Sequence, residues 1–352
     1  MLVVDAHLDL AWNALSWHRD LTLPISQIRN AESTMRENHR GASTVCFEEM
    51  RRGEVGICSA TLLTRASGLN EPLVDYRSRE IASAAAWGQL AYYRILEQQG
   101  HLQMLKDRDS LENHLRRWRG GNTDSGPLGY ILSMEGADPI LSPTDTARWW
   151  DEGLRVLSLA HYGLSAYAHG TGVAGGLSPR GVELLSAMET VGMILDVTHL
   201  ADESFWQAVE RFRGPVLATH NNCRALVPGD RQFSDDQIQY LIQRGSVIGA
   251  VCDSWMLYPD YVLGKTPNSL VTMAAVVDHI DHICQLAGNA EHAAIGSDLD
   301  GGFGKEQSPH DLETIADLQK IAPLLRKRGY SEPDVEAVMH GNWIRFFERA
   351  WR

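Results

Sequence analysis

Eight short apolar runs, near residues 2–7, 55–63, 129–134, 155–160, 193–198, 215–219, 246–252 and 293–297, constrain this chain more than any other feature. Each is too short for an ordinary helix, and longer stretches of helical or loop character separate them. Strands that alternate with helices pair in parallel, and eight such units in 352 residues predict a closed α/β structure, a (β/α)8 TIM-like barrel. No linker or shift in composition divides the chain. The expectation is a single barrel catalytic domain over 1–352 with elaborated βα loops. Capping signals agree: Gly100 ends a long Ala-rich helix over 74–99, Ser178-Pro179 opens one over 177–191, and Ser234 caps one that runs to Arg244. Further helices are expected over 201–212 and 270–286, loops and short helices over 11–52, and mostly helix from residue 298 to the end.

Charge narrows the partners. A formal net charge of −13 without a Lys/Arg cluster lacks the positive field that nucleic acid or an anionic membrane requires, so a small-molecule substrate is expected. Met1 leads directly into an apolar strand without a leader pattern, and no run reaches the ~18 apolar residues of a membrane span; a cytoplasmic location is expected. The five cysteines (46, 58, 223, 252 and 284) are scattered and odd in number, which fits reduced thiols rather than a disulfide framework.

The chemistry sits at the strand ends. His7 and Asp9 are two residues apart, a spacing that places both on one face of an extended strand. Glu135, His161, His199, His220 and Asp298 each follow a different run, where barrel enzymes build sites from their βα loops. Alone, each has a mundane reading: a capped strand end, a helix-start carboxylate, a buried hydrogen-bonded histidine, a turn former. Together they suit two cations, His7 and Asp9 on one, His199 and His220 on the other, with Glu135 bridging. Two metals ~3.5–4 Å apart share and acidify a water and polarise a carbonyl or phosphoryl oxygen.

The segments Asp5-Ala6-His7-Leu8-Asp9, Glu135-Gly136, Leu157–His161, Gly176–Pro179, Leu195–His199, Thr219–Asn222, Asp230-Arg231-Gln232, Gly296–Gly301 and Gly341-Asn342-Trp343 resemble the membrane dipeptidase (renal dipeptidase) family of the amidohydrolase superfamily, peptidase family M19. That resemblance implies a barrel of the metal-dependent hydrolase type with two zinc ions per chain. It implies hydrolysis of dipeptides, L-Xaa-D-Xaa included, by a metal-bridging hydroxide. Asp298 then matches the catalytic acid/base, His161 the histidine that supports the oxyanion and contacts substrate, and Arg231 the arginine that binds the substrate carboxylate. Without the resemblance Arg231 reads as a surface arginine. The rival readings are another binuclear amidohydrolase acting on N-acyl amino acids, β-lactams or esters, and a non-catalytic binding protein on the same fold. A metal-dependent nuclease or phosphoesterase is disfavoured by the acidic charge and by Asp9, where His-x-His is usual.

The resemblance is weakest over Tyr162–Gly170, a loop bordering the substrate, where His169 reads as a solvated loop histidine. The long loop 253–268 is a second specificity element, its Trp255, Tyr258 and Tyr261 being pocket walls or contacts of a homodimer. His279 and His282, at i and i+3, read as a solvated helix face, Cys223 as a small packed thiol, and Trp149-Trp150 as cover for the barrel's outer wall.

Overall fold

The computed structural model describes residues 1–35, 41–120 and 126–351. Among these residues nine parallel strands are formed: β1 (Val3–Leu8), β2 (Val55–Leu63), β3 (Leu102–Met104), β4 (Leu128–Glu135), β5 (Leu154–Ser158), β6 (Ile194–Asp196), β7 (Val216–Leu217), β8 (Ile248–Ala250) and β9 (Ala293–Ile295). Eight of them run in the order β7-β6-β5-β4-β2-β1-β9-β8, and the Ala218–Ile248 bridge joins β7 to β8 and closes the ring. The (β/α)8 barrel expected from the eight apolar runs is the observed architecture. Strands β5 to β9 are shorter than their runs, because the last residues of those runs already turn toward the mouth. A correction is β3, which pairs with the N-terminal half of β4 outside the ring; at three residues it was too short to register as an apolar run.

Two apolar layers hold the barrel. Val4, Ile57, Ile131, Val156, Ile194, Leu217, Val247 and Ala294, from every ring strand or its edge, share one buried cluster with Trp343, Phe346 and Phe347. Those three aromatics project from the last helix, Asn342–Ala350, and plug the end opposite the site. Trp343 Nε1 donates to the Ile295 carbonyl at 2.9 Å, and Asn342 Nδ2 donates to the Ala290 and Ala293 carbonyls, so the plug is also pinned by polar bonds. The larger cluster lies between strands and surrounding helices.

The helices start where their caps predict. Ser178 Oγ accepts from the Gly181 amide ahead of Pro179–Val191, and Ser234 forms a reciprocal box with Gln237 ahead of Asp235–Gln243. Each such cap is worth ~1 kcal/mol. The Ala-rich helix begins later than expected, at Arg79, because 65–76 closes into a loop of its own. The helices Leu10–Trp17, Ile25–Glu32 and Phe47–Arg52 fit the reading of 11–52, of which 36–40 lies outside the described residues. No described helix is long and apolar enough to cross a membrane. All five cysteines are buried and free.

Candidate metal and substrate site

Four of the expected site residues share one construction. His161, His199, His220 and Asp298 each lie three positions beyond the last residue of their strands, which are Ser158, Asp196, Leu217 and Ile295. His199 and Asp298 adopt left-handed backbone (φ 67° and 57°), uncommon outside glycine though histidine and aspartate tolerate it better than most, and this turns both side chains into the mouth. A Cβ on Gly301 would lie 1.9 Å from Asp298 Oδ1, so only glycine lets the chain pass behind that carboxylate.

His7 and Asp9 meet by a different route from simple strand alternation. Val4 and Ala6 face the inner cluster, and a regular strand would send His7 outward. The β1–β2 register slips between Asp5 and Leu8, which re-aims His7 to the mouth, while Asp9 already lies past the strand at the start of the Leu10–Trp17 helix.

The side chains converge. His199 and His220 Nε2 lie 3.0 and 3.2 Å from Glu135 Oε1, while His7 Nε2 lies 3.6 Å from Glu135 Oε2, so each carboxylate oxygen faces one side of the cluster. His7 Nε2 is 3.7 Å from both Asp9 Oδ2 and Asp298 Oδ1. His7–Asp9–Glu135, Glu135–His199–His220 and His7–His220–Asp298 each offer ligand atoms within 4.8 Å of one another. His7 Nε2 and Asp9 Oδ1 are buried without a hydrogen-bond partner, a cost that folding tolerates where a cation supplies the missing bond. The donor set, imidazole nitrogen with carboxylate oxygen, fits zinc or a similar borderline cation.

Outer hydrogen bonds prepare the ring nitrogens. Thr219 Oγ1 donates to Asp196 Oδ2 at 2.6 Å and accepts from His220 Nδ1 at 2.9 Å. The Thr171 hydroxyl donates to the His199 carbonyl and accepts from His199 Nδ1 at 3.1 Å. In both rings the proton sits on Nδ1 and Nε2 keeps its lone pair for a metal. Burial holds both imidazoles well below the usual histidine pKa. Burial also opposes charge on His7, but the Glu135 and Asp9 carboxylates outweigh it and raise its pKa well above the usual value. Burial raises Asp298 well above the ordinary carboxyl range, with Glu135 and Asp9 adding to the effect.

The cluster floors a cavity of about 570 Å³ whose wall includes Trp12, Trp17, Leu63, Leu73, Val74, Tyr162, Arg231, Asp253, Trp255 and Met256. Arg231 is buried: it donates to Asn221 Oδ1 and, at 3.1 Å, to the His220 carbonyl, so the surface reading of this residue is wrong. Trp255 walls the cavity, whereas Tyr258 and Tyr261 pack on the hydrophobic core. His169 is half-buried and off the cavity wall; its Nδ1 donates to the Gly176 carbonyl at 2.8 Å. His279 is also buried, its Nδ1 accepting from the Cys223 amide at 3.0 Å, while His282 pairs with Asp235; the solvated-face reading fails for His279. Cys223 is packed as expected, and Trp149 is buried against Trp87.

Sequence reasoning missed Arg65 and Asp253. Arg65 Nη1 lies 2.7 Å from His161 Nδ1, and its other donors hold Asp75 and Glu71. Asp253 follows β8 and borders the cavity; burial pushes its pKa up to about 7. Asp253 ends an apolar run as the other site residues do, a signal that was available; Arg65 carries none.

A (β/α)8 barrel with a buried histidine–carboxylate cluster at its C-terminal mouth defines a metal-dependent hydrolase class. Over residues 1–351 the sequence matches the membrane dipeptidase family (peptidase family M19), and the chain belongs to that family. An uncharacterized protein in the pqqA 5' region of Klebsiella pneumoniae is 28% identical over 236 residues, 64% of this chain and 83% of that one. Dipeptidase aclJ of Aspergillus oryzae is 29% identical over 225 residues, 62% of this chain and 51% of that one. The chain spans about half the length of the fungal dipeptidases it matches. A metallopeptidase from Rhodobacter sphaeroides, solved with a phosphinate mimic of the dipeptide L-Ala-D-Ala, superposes with a TM-score of 0.78 at 21% identity, covering 100% of this chain and 99% of that one.

Proposed function

We propose that this protein is a zinc-dependent dipeptidase that holds two zinc ions and acts on dipeptides with a free C-terminal carboxylate, L-Xaa-D-Xaa included. The observation that carries the reading is Glu135, whose two oxygens face His7 on one side and the His199–His220 pair on the other. In this reading His7 and Asp9 would hold one ion and His199 and His220 the other, with Glu135 placed to serve both. Ions bound there would supply an acidified water and a polarised scissile carbonyl.

The remaining work falls to the chain's own residues. Arg231, braced by Asn221, presents its guanidinium to the substrate's carboxylate. His161 receives a hydrogen bond on Nδ1 from an arginine that cannot accept one, so its Nε2 carries the proton and donates to the oxyanion formed at the carbonyl. Asp298 takes a proton from the attacking water and passes it to the departing amine nitrogen as the C–N bond breaks and a C–O bond forms. Residues 1–352 act as one catalytic domain.

The test is metal analysis of the purified protein together with hydrolysis of L-Xaa-L-Xaa and L-Xaa-D-Xaa panels. About two zinc per chain, as a two-metal site requires, and chelator-sensitive hydrolysis are expected. Failure to bind zinc after reconstitution would overturn the mechanism. Zinc binding with cleavage confined to N-acyl amino acids, β-lactams or esters would leave the metal site and remove the dipeptidase assignment.

A further inference from the structure

The cavity is divided by chemistry as well as by position. Arg231, the cation assigned to the substrate carboxylate, follows β7. In the ring order β1, β2, β4, β5, β6, β7, β8, β9, the strand opposite β7 is β2. Beyond β2, and beside it on the β1 helix, the wall is mostly apolar: Trp12, Trp17, Leu63, Leu73 and Val74, with the Glu71 carboxylate on the same stretch paired to Arg65. Four of these, all but Leu73, form a buried cluster separate from the barrel cores, with the Trp12 and Trp17 rings 4.7 Å apart.

This wall is built in advance. Trp12 Nε1 donates to the Leu73 carbonyl at 3.0 Å, and the Arg19 guanidinium lies 4.7 Å from the Trp17 ring centroid. Arg19 is itself buried and bonded to Asn13, Glu32 and Asp300. Leu73 has left-handed backbone (φ 71°) and is 46% exposed, an unfavourable state for a leucine on both counts. Such strain, held at a cavity wall, marks a surface that awaits a partner.

Resting on the dipeptidase reading, we infer that this wall is the subsite for the side chain of the substrate's N-terminal residue and that it selects large apolar side chains there. A dipeptide anchored by its carboxylate at Arg231, with its peptide bond over the metal cluster, directs its N-terminal residue across the mouth to β1 and β2. Burying leucine or phenylalanine against preformed aromatics is favourable, whereas a lysine or aspartate would lose its hydration there, the nearby Glu71 being already paired with Arg65.

The experiment compares kcat/KM for Xaa-Ala and Ala-Xaa series, with Xaa being Ala, Val, Leu, Phe, Lys or Asp, on the zinc-loaded enzyme. The Xaa-Ala series should rise roughly 10- to 200-fold from Ala to Leu or Phe, the range one apolar pocket commands, with Lys and Asp lowest. Isothermal titration of the Asp298→Asn variant with the same peptides should give the same order in Kd. Trp17→Ala should lower kcat/KM for Phe-Ala more than for Ala-Ala. Leu73→Asp, which suits the left-handed backbone and spares the carbonyl that Trp12 uses, should raise Lys-Ala relative to Phe-Ala. A flat Xaa-Ala series, a preference for charged residues, or discrimination confined to Ala-Xaa would overturn this inference while leaving the dipeptidase reading intact. Cleavage of none of the peptides would overturn both.

Discussion

Arg65 and His161 are joined by a 2.7 Å hydrogen bond from Nη1 to Nδ1. Burial, with Arg65 and Arg231 nearby and only Glu135 opposing, lowers the His161 pKa to about 3, so the ring is neutral at any working pH. It donates through Nε2 and is no base. Replacing His161 with alanine removes the proposed oxyanion donor and should lower kcat about 10²- to 10³-fold, the usual effect of such a loss. Arg65→Lys keeps the charge but loses the fork that reaches Asp75 and His161 together, and should lower kcat with less effect on KM. Steady-state kinetics on both variants checks this; an unchanged kcat in His161→Ala would remove His161 from the reaction.

Asp298→Asn keeps the shape and removes the proposed proton carrier. A loss of about 10²- to 10⁴-fold in kcat is expected, with zinc content unchanged, since general acid–base catalysis is worth that much. Metal analysis alongside the kinetics separates the two effects: loss of zinc together with activity would make Asp298 a ligand instead.

Much of this was legible in the sequence, and the reason is geometric. A βα unit sets a short apolar run before each functional residue, so Glu135, His161, His199, His220 and Asp298 announce themselves by position. What was hidden depends on contacts across the ring. Arg65 belongs to a loop two residues past β2 and reaches a histidine 96 positions away, and no local pattern encodes that. Arg231 looked like a surface residue because its partners, Asn221 and the His220 carbonyl, are reached only when the loop after β7 folds back. His279 misled for the same reason: its partner is an amide on another element.

Arg231→Ala should chiefly raise KM for substrates with a free carboxylate and leave kcat closer to the parent value, because in the proposed function the guanidinium binds a group remote from the bond that breaks. Amidated dipeptides should show little difference between parent and variant. Equal losses on both substrates would remove Arg231 from the carboxylate subsite.

Metal removal should destabilise the fold as well as stop turnover. His7 Nε2 and Asp9 Oδ1 have no hydrogen-bond partner among the described residues, so a bound ion would supply the missing bonds, and saturation at 100 times Kd contributes about 2.7 kcal/mol. A lower Tm after chelation, restored by zinc, is the expected result of a thermal melt.

Asp253 should make stability fall with rising pH. Burial raises its folded-state pKa to about 7 from an ordinary 3.8, so the folded chain binds the proton more tightly than the unfolded chain does. Stability from this group is complete below about pH 4 and is lost as pH rises toward 7. Asp253→Asn should therefore gain Tm at pH 8 relative to the parent and change little at pH 4. Thermal melts at the two pH values decide it.

The loop 65–76 closes on itself: the Arg65 amide donates to the Val74 carbonyl at 3.1 Å, the Tyr76 amide donates to the Arg65 carbonyl at 2.8 Å, and the Arg65 side chain holds Asp75. That small ring carries the group that orients His161 and, through Leu73 and Val74, part of the wall facing the substrate. Selectivity and chemistry are thus mechanically geared to one another. A loop grafted from a relative to change substrate range has to bring its own Arg65–Asp75 clasp, or the new preference will arrive with a slower enzyme.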